Sequence, residues 1–393
     1  MARAARAESN AGVEPSTAEK LAFLANPRNL GETGVIECVE THFAWVFLGK
    51  RYAYKLRKPV RYHGLNTLTL ESRRTMCGAE LGLNAALAPG IYLEVVPLIR
   101  SADGKMRLGA AGKPIDWLIK MRRLPLARML DTLIRTGPIR ADELAALAAK
   151  LCRFYESADP GVADGAEYCR RLRARVRANR DDLLAGCRSQ RLLARVRTIA
   201  RLQEEFIATR KALLAQRAEK GLIRDCHGDL RPEHICLGPP LCVIDRLEFD
   251  RELRVLDPLE ELSFLALECA RLGAPAVGES IRALCLRLMD PAASPLLIGL
   301  YTSLQATTRA VLRVWRMAEG SRADQRRWQG EIREYLQQAL TAVRGAASAS
   351  RDLRDSAPLR PRGSTRAARR ASRPRRLLLA DGSAHNPSRR FRR

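Results

Sequence analysis

Between Val35 and Val60, apolar and β-branched residues fall into three short runs, broken at Glu40–Thr41–His42 and again at Gly49–Lys50. Runs of this length, separated by polar or glycine turns, predict three antiparallel strands. Leu70, Met76, Ala79, Leu83 and Leu87 then stand at helical intervals, which predicts a helix up to Ala88–Pro89–Gly90. Ile91–Ile99 and Met106–Leu124 predict further strands, the second folded as a hairpin over Gly109–Gly112. From about Leu126 the pattern turns helical, and Ala141–Ala158 repeats at helical period behind Asp142 at a capping position. Residues 167–220 are highly charged and read as an amphipathic surface hairpin of helices. Two short apolar runs, "HICLG" and "LCVID", flank Gly238–Pro239–Pro240 and predict a small β-hairpin inside this helical region. Helices resume from Leu259 to about Val343. From Ala346 the chain is rich in Arg, Ser, Ala and Pro without a period and is expected to be disordered. The expectation is an α+β fold of two lobes. Residues 1–30 form a helical or loose lead-in, 31–125 a small β-rich lobe, 126–345 a larger helical lobe and 346–393 a basic tail.

The formal charge of +26 over 393 residues favours an anionic partner, but much of it is local. Residues 351–393 hold 14 arginines against 3 aspartates, so +11 of the total belongs to the tail. The remainder is scattered along helices and reads as solvated faces. Nucleic acid is accordingly expected to bind only non-specifically, through the tail. The ten cysteines form no CxxC and no histidine pair has ligand spacing, so buried thiols are expected rather than disulfides or a zinc site. No run of 18 apolar residues and no signal-peptide core occurs, which excludes a membrane helix and points to the cytoplasm.

The segment Cys226–Asp250, "CHGDLRPEHICLGPPLCVIDRLEFD", carries the chemistry. His227, Asp229 and His234 stand as H-x-D-x-x-x-x-(N), and 15 residues separate Asp229 from Asp245, which closes an apolar run. "HGDLRPEH" resembles the catalytic loop of protein kinases and, more closely, the HGDLHPGN of aminoglycoside phosphotransferases, from which only Arg231, Glu233 and His234 differ. "ETHFAWVFLGKRYAYKLRKPV" and "ESRRTMCGAELGLNAALAPGIYLEVVPL" extend the likeness. They resemble a bacterial branch of phosphotransferase-like proteins, some of which are fused to a C-terminal P-loop kinase domain. No G-x-x-x-x-G-K-[ST] occurs here, so the likeness covers about residues 25–345 without that domain.

The resemblance implies a bilobal protein-kinase-like fold and a phosphotransferase using ATP and Mg²⁺ on a hydroxyl of a small molecule. Lys55 would bind the α- and β-phosphates, with Lys58 a weaker alternative. Glu80 would pair with it, with Glu71 competing for the role. Thr41 and His42, in the turn standing where a glycine-rich loop is missing, and Met121 are the other nucleotide-contacting candidates. Asp229 would take the acceptor's proton, and His227 would support the loop rather than shuttle protons. Asp245 would hold the metal. His234 occupies the place of a magnesium-binding Asn, and imidazole suits that hard cation poorly, so Glu248 is a further metal candidate. Glu261 stands where the family has an Asp that braces the catalytic loop. Asp164, Glu167 and Glu268 are the acids that could hold a polycationic acceptor. Two other readings remain open: a nucleotide-sensing pseudokinase, suggested by His234 and Glu261, and a basic scaffold that binds anionic polymers through its tail.

Overall fold

A computed structural model describes residues 15–62, 65–109, 111–317 and 320–355. The first helix, α1 (Thr17–Leu24), begins with a reciprocal cap in which the Ser16 hydroxyl accepts from the Glu19 N–H and the Glu19 carboxylate accepts from the Ser16 N–H. Strands β1 (Glu37–Glu40), β2 (Ala44–Leu48) and β3 (Tyr52–Arg57) follow, then a ribbon of β4 (Arg61–Tyr62) and β5 (Leu65–Asn66), then α2 (Leu70–Asn84). With β6 (Tyr92–Arg100), β7 (Met106–Leu108) and β8 (Lys113–Arg122) the larger strands form one antiparallel sheet in the order β1-β2-β3-β8-β6-β7.

The two-residue period of β3 divides its side chains between two buried faces. Tyr54 and Leu56 join Phe47, Leu98 and Leu118 under Leu24 of α1 and Leu30, so residues 17–30 pack as part of the small lobe. Ala53 lies on the opposite face with Ile119, Met121 and Cys77 of α2. Lys55 and Arg57 alternate with Tyr54 and Leu56 and therefore turn toward α2. That helix is pinned to the sheet by Arg73, whose guanidinium donates to both oxygens of buried Asp116 at 2.7 and 3.3 Å, while Lys20 reaches the same carboxylate from α1.

The hairpin expected over Gly109–Gly112 does not form. β7 pairs with β6 through the turn at Ser101–Lys105, and β8 pairs with the other edge of β6. Asp103–Gly104, with Gly104 at φ 80°, supplies the left-handed turn that a tight hairpin needs.

The larger lobe contains α3 (Leu130–Thr136), α4 (Ala141–Ser157), α5 (Gly165–Gly186), α6 (Gln190–Thr209) and α7 (Lys211–Glu219). Then come β9 (Arg224–Asp225), the hairpin β10 (Ile235–Cys236) and β11 (Cys242–Val243), and β12 (Val255–Leu256), which pairs with β9. Helices α8 (Pro258–Arg271), α9 (Pro275–Met289), α10 (Pro295–Arg316) and α11 (Arg322–Asp355) complete it. The α5–α6 pair is not a surface appendage. Tyr168, Leu172, Val176 and Leu183 of α5, with Val196, Ile199 and Phe206 of α6, are buried against α10 and its neighbours. Burial of a side chain of this size contributes about 1.5–3 kcal/mol.

Nor does the tail begin at Ala346. Helix α11 runs on to Asp355, and Ala346 is buried against α10 where Gly299 leaves room: a Cβ there would lie 2.8 Å from that of Ala346. The rest of the basic tail lies outside the described residues. All ten cysteines are free and most are buried, and no described helix is long and apolar enough to cross a membrane.

Candidate active site

Lys55 and Glu80 meet because β3 and α2 present them to each other across the sheet's second face. Lys55 Nζ donates to Glu80 Oε1 at 2.9 Å and to Asp245 Oδ1 at 2.7 Å, joining the small lobe to the loop after β11. Burial disfavours the ammonium, but Asp245 and Glu80 outweigh it and hold its pKa well above the ordinary lysine value. Arg57, two residues along the same strand face, donates to the other oxygen of Glu80 and lies 2.6 Å from Glu248. The alternatives sit elsewhere: Lys58 pairs with exposed Glu40 over Trp45, and Glu71 is an exposed residue of the first turn of α2.

Asp245 has φ 64°, the one positive φ among the described non-glycine residues. Asp tolerates this left-handed conformation better than most residues, and such strain collects at working sites. Its N–H donates to the Tyr92 hydroxyl at 3.0 Å. The next residue, Arg246, donates to the Cys226 carbonyl and to Asp225, and its N–H reaches Asn84 of α2. Asp225, buried in β9, also receives Arg254 at 2.8 Å, so one carboxylate ties the root of the His227–His234 loop to the segment after Asp245.

The loop itself is hung from below. Glu261 of α8 accepts from the His227 N–H at 3.1 Å and the Gly228 N–H at 2.6 Å, and Tyr155 donates to it at 2.8 Å. The bracing expected of this glutamate is thus met, the extra methylene spanning the distance. Gly228 adopts φ 87°, and a Cβ there would lie 2.9 Å from Arg254 Cγ. His227 is fully buried, with Nε2 2.9 Å from the Ile244 carbonyl. Burial, reinforced by His234, pushes its pKa down to about 3, so it is neutral and holds the loop.

Asp229 projects from this loop with both carboxylate oxygens engaged. Arg231 Nε donates to Oδ2 at 3.0 Å and Arg309 Nη1, from α10, to Oδ1 at 3.2 Å. Burial would raise its pKa, but Arg231 and Arg309 overcome this and hold it at about 2. His234 Nδ1 lies 2.9 Å from the Asp229 carbonyl, and Arg231 Nη2 lies 3.2 Å from Nε2. A guanidinium only donates and a carbonyl only accepts, so Nδ1 carries the proton and the Nε2 lone pair is taken. His234, a metal candidate from the sequence, is therefore placed as a loop-holding residue, 3.5 Å from Asp245 Oδ2. Glu248 is likewise bound to Arg57 rather than open, and burial raises its pKa.

Thr41 spends its hydroxyl on the turn between β1 and β2, accepting from the Ala44 N–H and donating to the Ala44 carbonyl. His42 packs on Phe43, whose ring stands 6.4 Å from that of Phe249 beyond Asp245. Met121 is buried beside Ala53 on β8, the strand that leads to the large lobe. Arg57, Tyr92 and Arg309 are absent from the sequence reading. Only Arg57 left a signal there, as a second cation two residues from Lys55 on the same strand face.

Among the described residues no group of three or more His, Cys, Asp and Glu is gathered to hold a metal ion. Asp245 alone suits a magnesium ion whose remaining ligands are nucleotide phosphates and water, since that ion usually takes only one or two carboxylates.

A small lobe of antiparallel sheet with one pinned helix, a lysine–glutamate pair between them and a loop-borne aspartate on the helical lobe define a bilobal protein-kinase-like fold. No protein-family model matches the chain. An uncharacterized protein of Mycobacterium tuberculosis is 30% identical over 296 residues, covering 72% of this chain and 56% of the relative, and one of Mycobacterium bovis matches to the same extent. The chain thus spans about half the length of the curated relatives it matches. Among solved structures, a choline/ethanolamine kinase family protein from Mesorhizobium loti is similar with a TM-score of 0.48 and 16% identity, covering 84% of this chain and 99% of that one. The GDP complex of wild-type aminoglycoside 2'-phosphotransferase-IIIa gives 0.47 and 13%, covering 83% and 99%.

Proposed function

We propose that the protein is an ATP- and Mg²⁺-dependent phosphotransferase acting on a hydroxyl of a small molecule. The observation that carries this reading is the contact of Lys55 with both Glu80 and Asp245, a cation suited to phosphates and a carboxylate suited to a metal, with Asp245 and Asp229 each within 4.0 Å of His234. Phosphoryl transfer passes through a loose transition state, so positioning and charge stabilisation supply most of the catalysis. Lys55 holds the α- and β-phosphates while Glu80 and Arg57 fix its direction. Asp245 holds Mg²⁺, which when bound neutralises charge on the phosphate oxygens. Asp229 stays ionised at neutral pH, accepts a hydrogen bond from the acceptor hydroxyl and takes its proton late, as the new P–O bond forms and the bond from the γ-phosphorus to the departing ADP breaks.

Thermal unfolding with ATP, with and without Mg²⁺, tests the binding half. A ligand at a hundred times its dissociation constant stabilises the native state by about 2.7 kcal/mol. The expected result is a Mg²⁺-dependent rise that disappears in Asp245→Asn and Lys55→Met. Phosphate transfer from ATP across a panel of alcohols tests the chemical half. Asp229→Asn is expected to lower it about 100- to 10,000-fold while the nucleotide shift persists, and full turnover in that variant sinks the assignment. A second reading, a nucleotide-sensing module without chemistry, is favoured by the filled Nε2 of His234 and the doubly paired Asp229. It requires a nucleotide shift with no transfer to any acceptor.

A further inference from the structure

Asp229 is the group an acceptor hydroxyl must meet on the phosphotransferase reading, and this inference rests on that reading. Its two oxygens are shared between Arg231, 21% exposed, and Arg309, 8% exposed. A hydroxyl can bond to this carboxylate only by displacing or joining a guanidinium. Arg231 keeps its pair with Glu233 if displaced, but Arg309, whose ion pair among the described residues is with Asp229, then needs another acceptor, because an unpaired buried cation is costly. Arg309 is also incompletely paired: its Nε is buried without an acceptor in the structure.

The acids that the sequence offered for a cationic acceptor, and Glu233 beside them, already have partners of their own. Asp164 accepts the Ala166 and Glu167 N–H groups as the cap of α5. Glu167 is held by Arg170 and Arg171. Glu268 is buried, accepts from the Tyr335 hydroxyl at 2.7 Å and lies 3.5 Å from Arg271. Glu233, next to the loop, is bound to Arg231 at 2.5 Å. A polyamine or quaternary ammonium would find three of these carboxylates already paired with arginines and Asp164 engaged as a helix cap, and would face two arginines at the reacting end.

We propose that the acceptor is an anionic alcohol, a hydroxyl compound bearing a carboxylate or phosphate group, and that Arg309 and Arg231 receive that anion as the hydroxyl takes its place on Asp229. Guanidinium pairs with such oxyanions through parallel, charge-assisted hydrogen bonds.

The test uses inorganic phosphate as the anionic probe, and choline and kanamycin as cationic ones, each added to the full chain saturated with Mg²⁺ and a non-hydrolysable ATP analogue. The analogue fills the terminal-phosphate position, so a remaining phosphate effect reports the acceptor side. Phosphate is expected to raise the unfolding temperature and the cations to leave it unchanged. Arg309→Gln should weaken phosphate binding by about tenfold or more, with part of the affinity restored in Arg309→Lys. Should Arg309→Gln fail to fold, Arg231→Gln, at the more exposed position, reads the same loss. The proposal is overturned if choline or kanamycin binds instead, or if phosphate binding vanishes once the analogue is present, which makes the nucleotide its only anion. It is equally overturned if both glutamine variants bind phosphate as the parent does. Absence of any shift with the nucleotide analogue sinks the phosphotransferase reading instead and leaves Arg309-dependent phosphate binding to be read separately.

Discussion

His227 shows how burial sets a residue's role. Its imidazole, near 6.5 when free, is pushed to about 3 by burial and then by His234. Between those values the unfolded chain takes up a proton that the native protein refuses. The contribution of His227 is therefore complete above pH 6.5 and is lost as pH falls toward 3, at up to about 1.4 kcal/mol per pH unit. Urea midpoints measured across this range should fall more steeply for the parent than for His227→Asn, and parallel curves would contradict the assignment. Asp229, Asp245, Lys55 and Glu80 could be singled out through a resemblance carried by short motifs, which are local in the chain, and the structure brings Lys55, Glu80 and Asp245 into contact. Arg309 could not be singled out this way. It lies 80 residues from Asp229, on a helix whose pattern announces only an apolar stripe, and nothing local distinguishes it from the other arginines of α10.

At the scale of elements, the His227–His234 loop and the segment after Asp245 depend on one carboxylate. Asp225 is 5% exposed and faces Arg246 and Arg254, so Asp225→Asn leaves two buried cations short of a counter-charge. A loss of about 3–5 kcal/mol is expected from denaturant unfolding. The strands and most helices follow from hydrophobic period, but pairing is a property of the whole sheet. Two glycines after β7 suggested a hairpin with β8, whereas the Asp103–Gly104 turn directs β7 back onto β6. Along α5 the many arginines masked a stripe at Tyr168, Leu172, Val176 and Leu183 whose three- to four-residue steps are those of a buried helix face.

For the molecule as a whole, the position at which the chain is cut distinguishes packing from charge. Removal of everything after Gly345 strips Ala346 and the last turns of α11 from α10 and should lower the unfolding temperature. A cut after Asp355 should leave both that temperature and the nucleotide shift unchanged. It should also remove salt-sensitive binding to polyanions such as heparin, because the arginine-rich segment is lost. Retention of polyanion binding after the second cut would locate it on the folded lobes.

The clamp on Glu80 reaches beyond the site. In protein kinases the helix bearing this glutamate is moved in and out of register to turn catalysis on and off. Here Lys55 and Arg57 grip the glutamate from two sides, and Arg73 fastens the same helix to Asp116 on the sheet. Swinging the helix away would break three buried ion pairs together, a cost that holds it against the sheet. On the phosphotransferase reading proposed above, output would then follow the supply of substrates rather than a movement of this helix.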